Sequence, residues 1–357
     1  MTAPSRTVRL RRRARALGGA LALALVGLLI LSGAVGAVEV GAADVARLII
    51  GHLVPGMPWM SDGSLTPLQD QAVWQFRLPR ALLAAVCGAG LALAGALMQA
   101  AVRNPLAEPY VLGVSSGASV GAVLVIVGGG AALGGLGMGA AAFIGALLTS
   151  VAVSVLARIR GTLSPTRMIL AGVAVGTLLS AITTFLTIST DAQSIVSVMF
   201  FLLGSVSSAT MTDLLGPAIA LAVTAVLAAL LARPLDVLMT GDDSSTALGV
   251  DPTRLRAILL VLTSLLTGAI VAVAGGISFV GLVIPHVARM IVGADHRRML
   301  PVAVLGGAVF LVVADLLART ISAPRELPLG VLTAFVGAPF FLWLMRRRGA
   351  SQAGADR

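Results

Sequence analysis

The sequence predicts an all-α, polytopic membrane protein with ten transmembrane helices. Of its 357 residues, 58% are apolar and only 11% are charged, and the mean hydropathy is +1.01. A chain with this composition is too apolar to be a soluble domain of this length. All 25 basic residues are arginines, and most of them flank long uncharged runs. The 41 glycines predict helices that pack closely through small residues.

The first 15 residues carry six arginines, and an uncharged run follows from 16 to 38. This run is longer than the apolar core of a signal peptide, and further apolar runs follow it instead of a soluble domain. We therefore expect a cytoplasmic tail over 1–15 and a retained first span. Residues 41–53 are amphipathic and predict an interfacial helix, which a polar loop connects to Arg80.

Further uncharged runs predict the remaining spans. A span needs about 20 residues to cross roughly 30 Å of hydrocarbon. The run 109–157 must therefore hold two spans, broken at 128–137, and the run 257–288 must hold two, broken at Gly275-Gly276. The transmembrane domain then covers 16–345, and 346–357 form a second cytoplasmic tail.

The segment 192–212 is the ambiguous one, because it either spans the membrane or only enters the outer leaflet. If it does not cross, 20 arginines lie inside and 5 outside; if it crosses, the counts become 12 and 13. The positive-inside rule favours the first arrangement, which has ten spans and places both termini in the cytoplasm.

A weak internal repeat aligns residues 88–105 with residues 268–285. Six of the 18 positions are identical, but all six are Gly, Ala or Pro, so chance similarity is a serious alternative. Five spans would separate the two copies. A true repeat would therefore be an inverted 5+5 repeat, as in many transporters.

The most elaborate polar interruption of the apolar chain is the turn 240–256, which this topology places in the cytoplasm. Asp242 or Ser244 can cap a short helix that ends at Gly249, and Asp251-Pro252 can begin a second. The simpler alternative is a solvated connector between two spans.

Several chemistries are excluded by composition. Without lysine the chain has neither a P-loop lysine nor a Schiff-base lysine. The single cysteine, Cys87, lies in an apolar run and predicts packing. His52, His286 and His296 lack the spacing of metal ligands, so no metal site and no enzyme active site are expected. The span-end arginines indicate membrane orientation and not nucleic-acid binding.

Three motifs together resemble the FecCD-type permeases of ABC importers for iron-siderophores, haem and cobalamin. They are RNPLAEP (103–109), GGISFVGLVIPH (275–286) and ELPLGV (326–331), and the resemblance covers nearly all of the chain after about residue 15. It implies a non-enzymatic permease of the bacterial plasma membrane that binds no cofactor itself. Its implied partners are a second permease copy or paralogue, two ATPase subunits that consume the ATP, an extracytoplasmic substrate-binding protein and membrane lipid.

The resemblance gives ferric siderophore as the first candidate cargo and haem or cobalamin as the alternative. An ion-coupled secondary transporter is the competing class, and it would need several carboxylates deep in the spans. Asp315 is one candidate for such a carboxylate, although a structural hydrogen bond between helices explains it better. Glu108 is expected at the cytoplasmic surface near Arg103.

The resemblance also implies roles for particular residues. The turn 240–256 would contact the ATPase. Two segments would form a cytoplasmic gate, although Pro165 departs from the small polar residue expected in the second one. Ordinary helix capping is the alternative for both. The implied coupling residues are Ala247, Leu248 and Gly249, and the implied gate residues are Asn104, Leu106, Ser164 and Thr166.

Three outer arginines oppose the positive-inside trend: Arg77, Arg80 and Arg319. By resemblance they meet acidic residues of the binding protein, a role that suits the bidentate guanidinium. The alternative is an arginine that extends from the bundle to the membrane interface.

Overall fold

The computed structural model describes residues 6–129, 137–159 and 162–353, and it confirms the all-α class. The only strands in these ranges are the paired Arg158–Ile159 and Thr162–Leu163. The helices are α1 Arg6–Ala34, α2 Ala42–Leu53, α3 Pro67–Asp70, α4 Leu78–Ala101, α5 Val114–Gly128, α6 Met138–Ala157, α7 Pro165–Ile188, α8 Ala192–Leu203, α9 Leu215–Leu230, α10 Ala232–Leu238, α11 Asp242–Ala247, α12 Pro252–Ala274, α13 Val280–Val292, α14 His296–Thr320 and α15 Leu329–Ala353.

Ten of these helices match the ten predicted spans. Seven helical segments of the described chain are long and apolar enough to cross a membrane, and α5, α13 and α15 are the shorter apolar helices at predicted spans. The ambiguous segment forms α8, whose 12 residues extend only about 18 Å at 1.5 Å per residue. This length is too short to cross and agrees with the ten-span topology.

The predicted start of the second span was wrong. The second span does not follow a polar loop that ends at Arg80, because helical structure begins at Pro67. It continues through a π-helical stretch, Gln71–Arg77, into α4. A capping box between Thr66 and Gln69 explains this early start. The break at Gly275 is confirmed, whereas most of the glycine-rich break 128–137 lies outside the described residues.

Helix α4 is the centre of the bundle, and nearly all of its residues are buried, including Cys87. Glycines bring its backbone against two neighbours. A Cβ atom on Gly88 would overlap the carbonyl oxygen of Gly307 in α14, and one on Gly95 would overlap that of Gly281 in α13. These contacts confirm the predicted close packing through small residues.

Helices α4 and α12 run antiparallel, as an inverted repeat requires. Gly90 faces Leu266 and Ile270, while Arg256 near the start of α12 reaches Ala101 at the end of α4. The offset of 180 residues does not keep the helix ends aligned, however. It pairs the helical residues 95–99 with 275–279, which separate α12 from α13.

Candidate functional site

The turn between α10 and α12 stands out from the bundle surface. Helix α11 has six residues, and only Ser245 among them is buried. Ala247, Leu248 and Gly249 are exposed; Leu248 is 65% accessible although it is apolar. Gly249 has φ +81° and ends the turn as predicted, with no atom within 4 Å of the position of a Cβ. We call this end of the molecule the α11 end.

Two details of this turn differ from the prediction. The N-cap of α11 is Gly241 with φ +116°, and no side chain caps the helix. Asp251 does cap a helix, accepting hydrogen bonds from the amides of Thr253 and Arg254, but that helix is the long α12 and not a second short one. The carboxylate of Asp242 is instead drawn to arginine, which offers a stronger, charge-assisted interaction.

Arg256 is the arginine that binds Asp242. Its Nη1 and Nη2 donate to Oδ2 and Oδ1 at 2.9 and 2.6 Å. Arg103 Nη2 lies 3.3 Å from Oδ1 of the same carboxylate. The hydrogen bond from Arg256 holds the pKa of Asp242 below its usual value. The Asp242 carboxylate is therefore ionised at neutral pH.

Both predicted gate segments lie beside this ion pair. Arg256 is 1% exposed, and its Nε donates to the Ala101 carbonyl at 3.0 Å, three residues before Asn104. Its Nη1 lies 3.4 Å from the carbonyl of Leu163, which directly precedes Ser164. Arg256 thus forms hydrogen bonds to backbone carbonyls next to both predicted gate segments.

The gate residues themselves have local structural roles as well. Asn104 Oδ1 accepts a hydrogen bond from the Leu106 amide at 2.9 Å, which closes a turn after α4. Ser164 occupies the N-cap position of α7 but its side chain makes no capping hydrogen bond, and Thr166 is exposed in the first turn. Helix capping therefore does not account for the Ser164 hydroxyl.

Glu108 was expected at the surface near Arg103, but the structure places its carboxylate elsewhere. Its Oε1 accepts from the Phe279 amide at 2.5 Å, and the Tyr110 hydroxyl accepts from the Ile277 amide at 3.0 Å. These amides precede α13, whose first N–H groups lack partners within the helix. The segment after α4 therefore supplies acceptors to the loop that leads into α13, which explains why the Glu108 carboxylate is turned inward and partly buried.

The three outer arginines are gathered at the opposite end of the bundle, which we call the α2 end. Arg77 donates to the carbonyls of Gly33 at 2.8 Å and Val38 at 2.6 Å. Arg319 donates to the carbonyl of Ser32 at 2.9 Å. Both guanidinium groups therefore lie at the C-terminus of α1, where cations stabilise the unpaired carbonyls and the helix dipole.

Arg80 is the third member of this cluster, and it binds two carboxylates. Its Nε lies 2.8 Å from Asp315, which is fully buried, and its Nη1 lies 2.7 Å from the exposed Glu326. The cluster lines a cavity of about 740 Å³. Asp315 is thus one partner of an ion pair between α4 and α14, the structural role that the sequence favoured over proton relay.

Sequence reasoning missed the partners of these arginines. Asp242 and Arg256 were both visible in the polar turn, but Asp243 and Asp251 were equally available as acceptors. Glu326 was visible within the ELPLGV motif, but it lies 246 residues after Arg80 in the sequence. Among the described residues, no group of three or more His, Cys, Asp or Glu side chains could hold a metal ion.

Known proteins are similar to this one in sequence and in architecture. The sequence model of the FecCD transport family matches residues 23–347. The chain belongs to the FecCD transport family. This FecCD permease is 40% identical over 325 residues to a cobalamin import system permease of Halobacterium salinarum, covering 87% of this chain and 86% of that protein. It is 42% identical over 293 residues to the hemin transport system permease of Yersinia pestis, covering 80% and 87%.

A solved structure has the same fold. It is described as an inward-facing conformation of a metal-chelate type ABC transporter, and it superposes on this FecCD permease with a TM-score of 0.79 and 31% identity. The match covers 93% of this chain and 99% of that one. This protein is therefore a membrane permease of ABC importers and has the fold of a transport subunit.

Proposed function

We propose that this FecCD permease moves a metal chelate into the bacterial cytoplasm, driven by separate ATPase subunits that bind at the α11 end. The observation that carries the proposal is the exposed surface formed by Ala247, Leu248 and Gly249. Leu248 is largely accessible although apolar, and it lies in a polar turn outside the bundle. An apolar side chain with small neighbours suits a close helix contact with a second protein.

This assignment orients the molecule, with the α11 end and both termini in the cytoplasm and the α2 end outside. The arginine distribution supports it, because Arg158, Arg233, Arg297 and most other arginines lie at or near the α11 end. A second copy of the chain or a paralogue would pack on the exposed apolar faces of the bundle. Helix α7 carries such a face, where Leu170 and Phe185 are 62% and 70% exposed.

The coupling surface is tested by Gly249→Trp, with Gly63→Trp as the matched control. Both glycines have φ +81° and no atom within 4 Å of the Cβ position, so the backbone strain of the two substitutions is comparable. Gly63 lies near the α2 end, between α2 and α3. We expect Gly249→Trp to abolish copurification with the co-expressed ATPase or ATP-driven uptake, while Gly63→Trp retains both. Equal behaviour of the two variants would refute the coupling role.

The proposal also concerns the chemical identity of the cargo. The two relatives described above are named for cobalamin and hemin, and these macrocyclic metal complexes now rank ahead of ferric siderophore. The test is uptake by proteoliposomes that contain the whole transporter, offered cobalamin, hemin or a ferric siderophore one at a time. Uptake of the siderophore alone would reverse this ranking.

We further propose that Arg77, Arg80 and Arg319 attract acidic residues of a substrate-binding protein. Because Glu326 already binds Arg80, a docking carboxylate would have to compete with it. Glu326→Gln should therefore tighten binding of that protein several-fold, within the range expected for a rim charge. Glu39→Gln is the control, because Glu39 is also exposed at the α2 end. Equal affinity for the wild-type protein and Glu326→Gln would contradict the docking role.

The predicted gate is likewise proposed to consist of Asn104 and Leu106 with Ser164 and Thr166. It is supported by the position of both segments at the α11 end, where a cargo leaving the bundle would reach the cytoplasm. Leu106→Ser should increase passive leak of the cargo without ATP, because a small polar side chain closes the path less well. An unchanged leak rate would argue against this gate.

A further inference from the structure

The ion pair between Asp242 and Arg256 does more than hold one turn together. We infer that it transmits the movement of α11 to both gate segments, so that the two segments move as one unit. The inference rests on the proposed contact of α11 with an ATPase, and it names the residues through which that contact would act.

Helix α11 has few attachments to the rest of the molecule. Ser245 is its one buried residue, and its hydroxyl donates to the carbonyl of Val237 in α10 at 3.0 Å. The other attachment is the Asp242 carboxylate, through Arg256 and Arg103. Apart from the chain connections to α10 and α12, a force on the exposed surface around Leu248 therefore reaches the bundle through these two side chains.

The two attachments lead to different places. Val237 lies in α10, which is tied to α14 because the His296 amide donates to Asp236 at 3.1 Å. Arg256 instead touches the end of α4 at Ala101 and the strand before α7 at Leu163. Asp242 also lies 3.3 Å from Arg103, the residue before Asn104, but among the contacts of the described residues only the Asp242–Arg256 path leads from α11 to both segments.

The chemistry of this path suits transmission. The bidentate pairing of a planar guanidinium with a carboxylate fixes direction as well as distance. Arg256 is almost fully buried, so water does not compete at its end of the bond, and its remaining donors are directed at backbone carbonyls instead of flexible side chains. Displacement of Asp242 is thereby passed to two backbones at once.

The test is Asp242→Asn in the complete transporter, measured as cargo transported per ATP hydrolysed. Asparagine keeps the size of the side chain but removes the charge and one of the two acceptors. We expect the complex to assemble and to hydrolyse ATP, while cargo per ATP falls about tenfold, a typical size for coupling between sites. Asp242→Glu, which retains the carboxylate, should recover part of that ratio.

The control is Arg298→Gln, which removes another largely buried arginine at the same end. Arg298 Nη2 lies 3.0 Å from Oδ2 of Asp295, the N-cap residue of α14, and within the part of the chain that the structure describes this ion pair joins no separate segments. Its transport per ATP should stay at the wild-type value.

The possible results separate the inference from the function on which it rests. If Asp242→Asn transports the wild-type amount per ATP, or loses the ATPase altogether, the ion pair does not transmit movement and the inference is overturned. If the wild-type chain neither binds nor stimulates an ATPase, the proposed function itself fails.

Discussion

The two ends of α4 are both held by buried arginines, but the arginines bind partners of different kinds. At the α2 end, Arg80 meets Asp315, which is 0% exposed and sits in a long packed helix. At the α11 end, Arg256 meets Asp242, which is 43% exposed and sits in a six-residue helix. One ion pair joins two rigid spans, and the other joins a span to an element with little packing of its own.

The first ion pair therefore holds two helices in a fixed arrangement, whereas the second can change its geometry. A buried carboxylate between two buried arginines must remain paired, because an uncompensated charge in a low dielectric is costly. A half-exposed carboxylate can change its position while water solvates it. We therefore expect changes at the α2 end to affect stability first and changes at the α11 end to affect coupling first.

The largest loss of stability is expected from Asp315→Asn. It leaves the buried guanidinium of Arg80 with only the exposed Glu326 as its anionic partner, and it also removes the charge that lies 3.9 Å from Arg319. The free energy of unfolding, measured by denaturant titration in mixed micelles, should fall by about 3–5 kcal/mol. A loss below that of Asp242→Asn would reverse the comparison.

The second largest loss in the free energy of unfolding is expected from a substitution in the middle of α4. Gly95→Val places a branched side chain against the backbone of Gly281, so α4 and α13 must separate. The expected loss is about 1–3 kcal/mol, as for an overpacked core. Gly27→Val is the control, because Gly27 lies within α1 and nothing lies within 4 Å of its Cβ position. Equal losses would show that the close contact is unimportant.

Asp242→Asn should cost about 1–2 kcal/mol, because Arg256 keeps two backbone acceptors and asparagine still accepts one hydrogen bond. The folded state lowers the pKa of Asp242, so the stabilisation is present above the unfolded carboxyl value, about 3.9, and is lost as the pH falls through the lower folded value. The difference between wild type and variant should therefore stay constant from pH 8 to pH 5. A difference that changes across this range would contradict the assigned ionisation.

The smallest effect is expected from Glu326→Gln. Its side chain is 43% exposed, and Arg80 keeps its buried partner Asp315. The free energy of unfolding should change by about 1 kcal/mol or less, as for exposed ion pairs. A loss as large as that of Asp315→Asn would mean that the exposed Glu326, and not the buried Asp315, is the partner of Arg80 that stabilises the fold.

The comparison also shows which features could be predicted from sequence. Apolar runs and arginine counts predicted the spans and the non-crossing α8, because span length and loop charge are local properties. Gly249 was predicted correctly to end α11, since only glycine adopts that backbone geometry readily. The partners of Arg256 and Arg80 were not predictable, because several acidic residues were available and the choice depends on how distant helices pack. Glu108 was misplaced for the same reason, as its partner is an amide 171 residues away.

In the function that we propose, movement at α11, driven by ATP bound to another chain, powers transport through this bundle. The most direct test is cargo uptake by proteoliposomes that contain this FecCD permease with or without its co-expressed ATPase. ATP or an imposed proton or sodium gradient is supplied in separate samples. Uptake should occur only when the ATPase and hydrolysable ATP are both present. Uptake driven by an ion gradient in vesicles that contain this chain alone would show a secondary transporter and contradict the account.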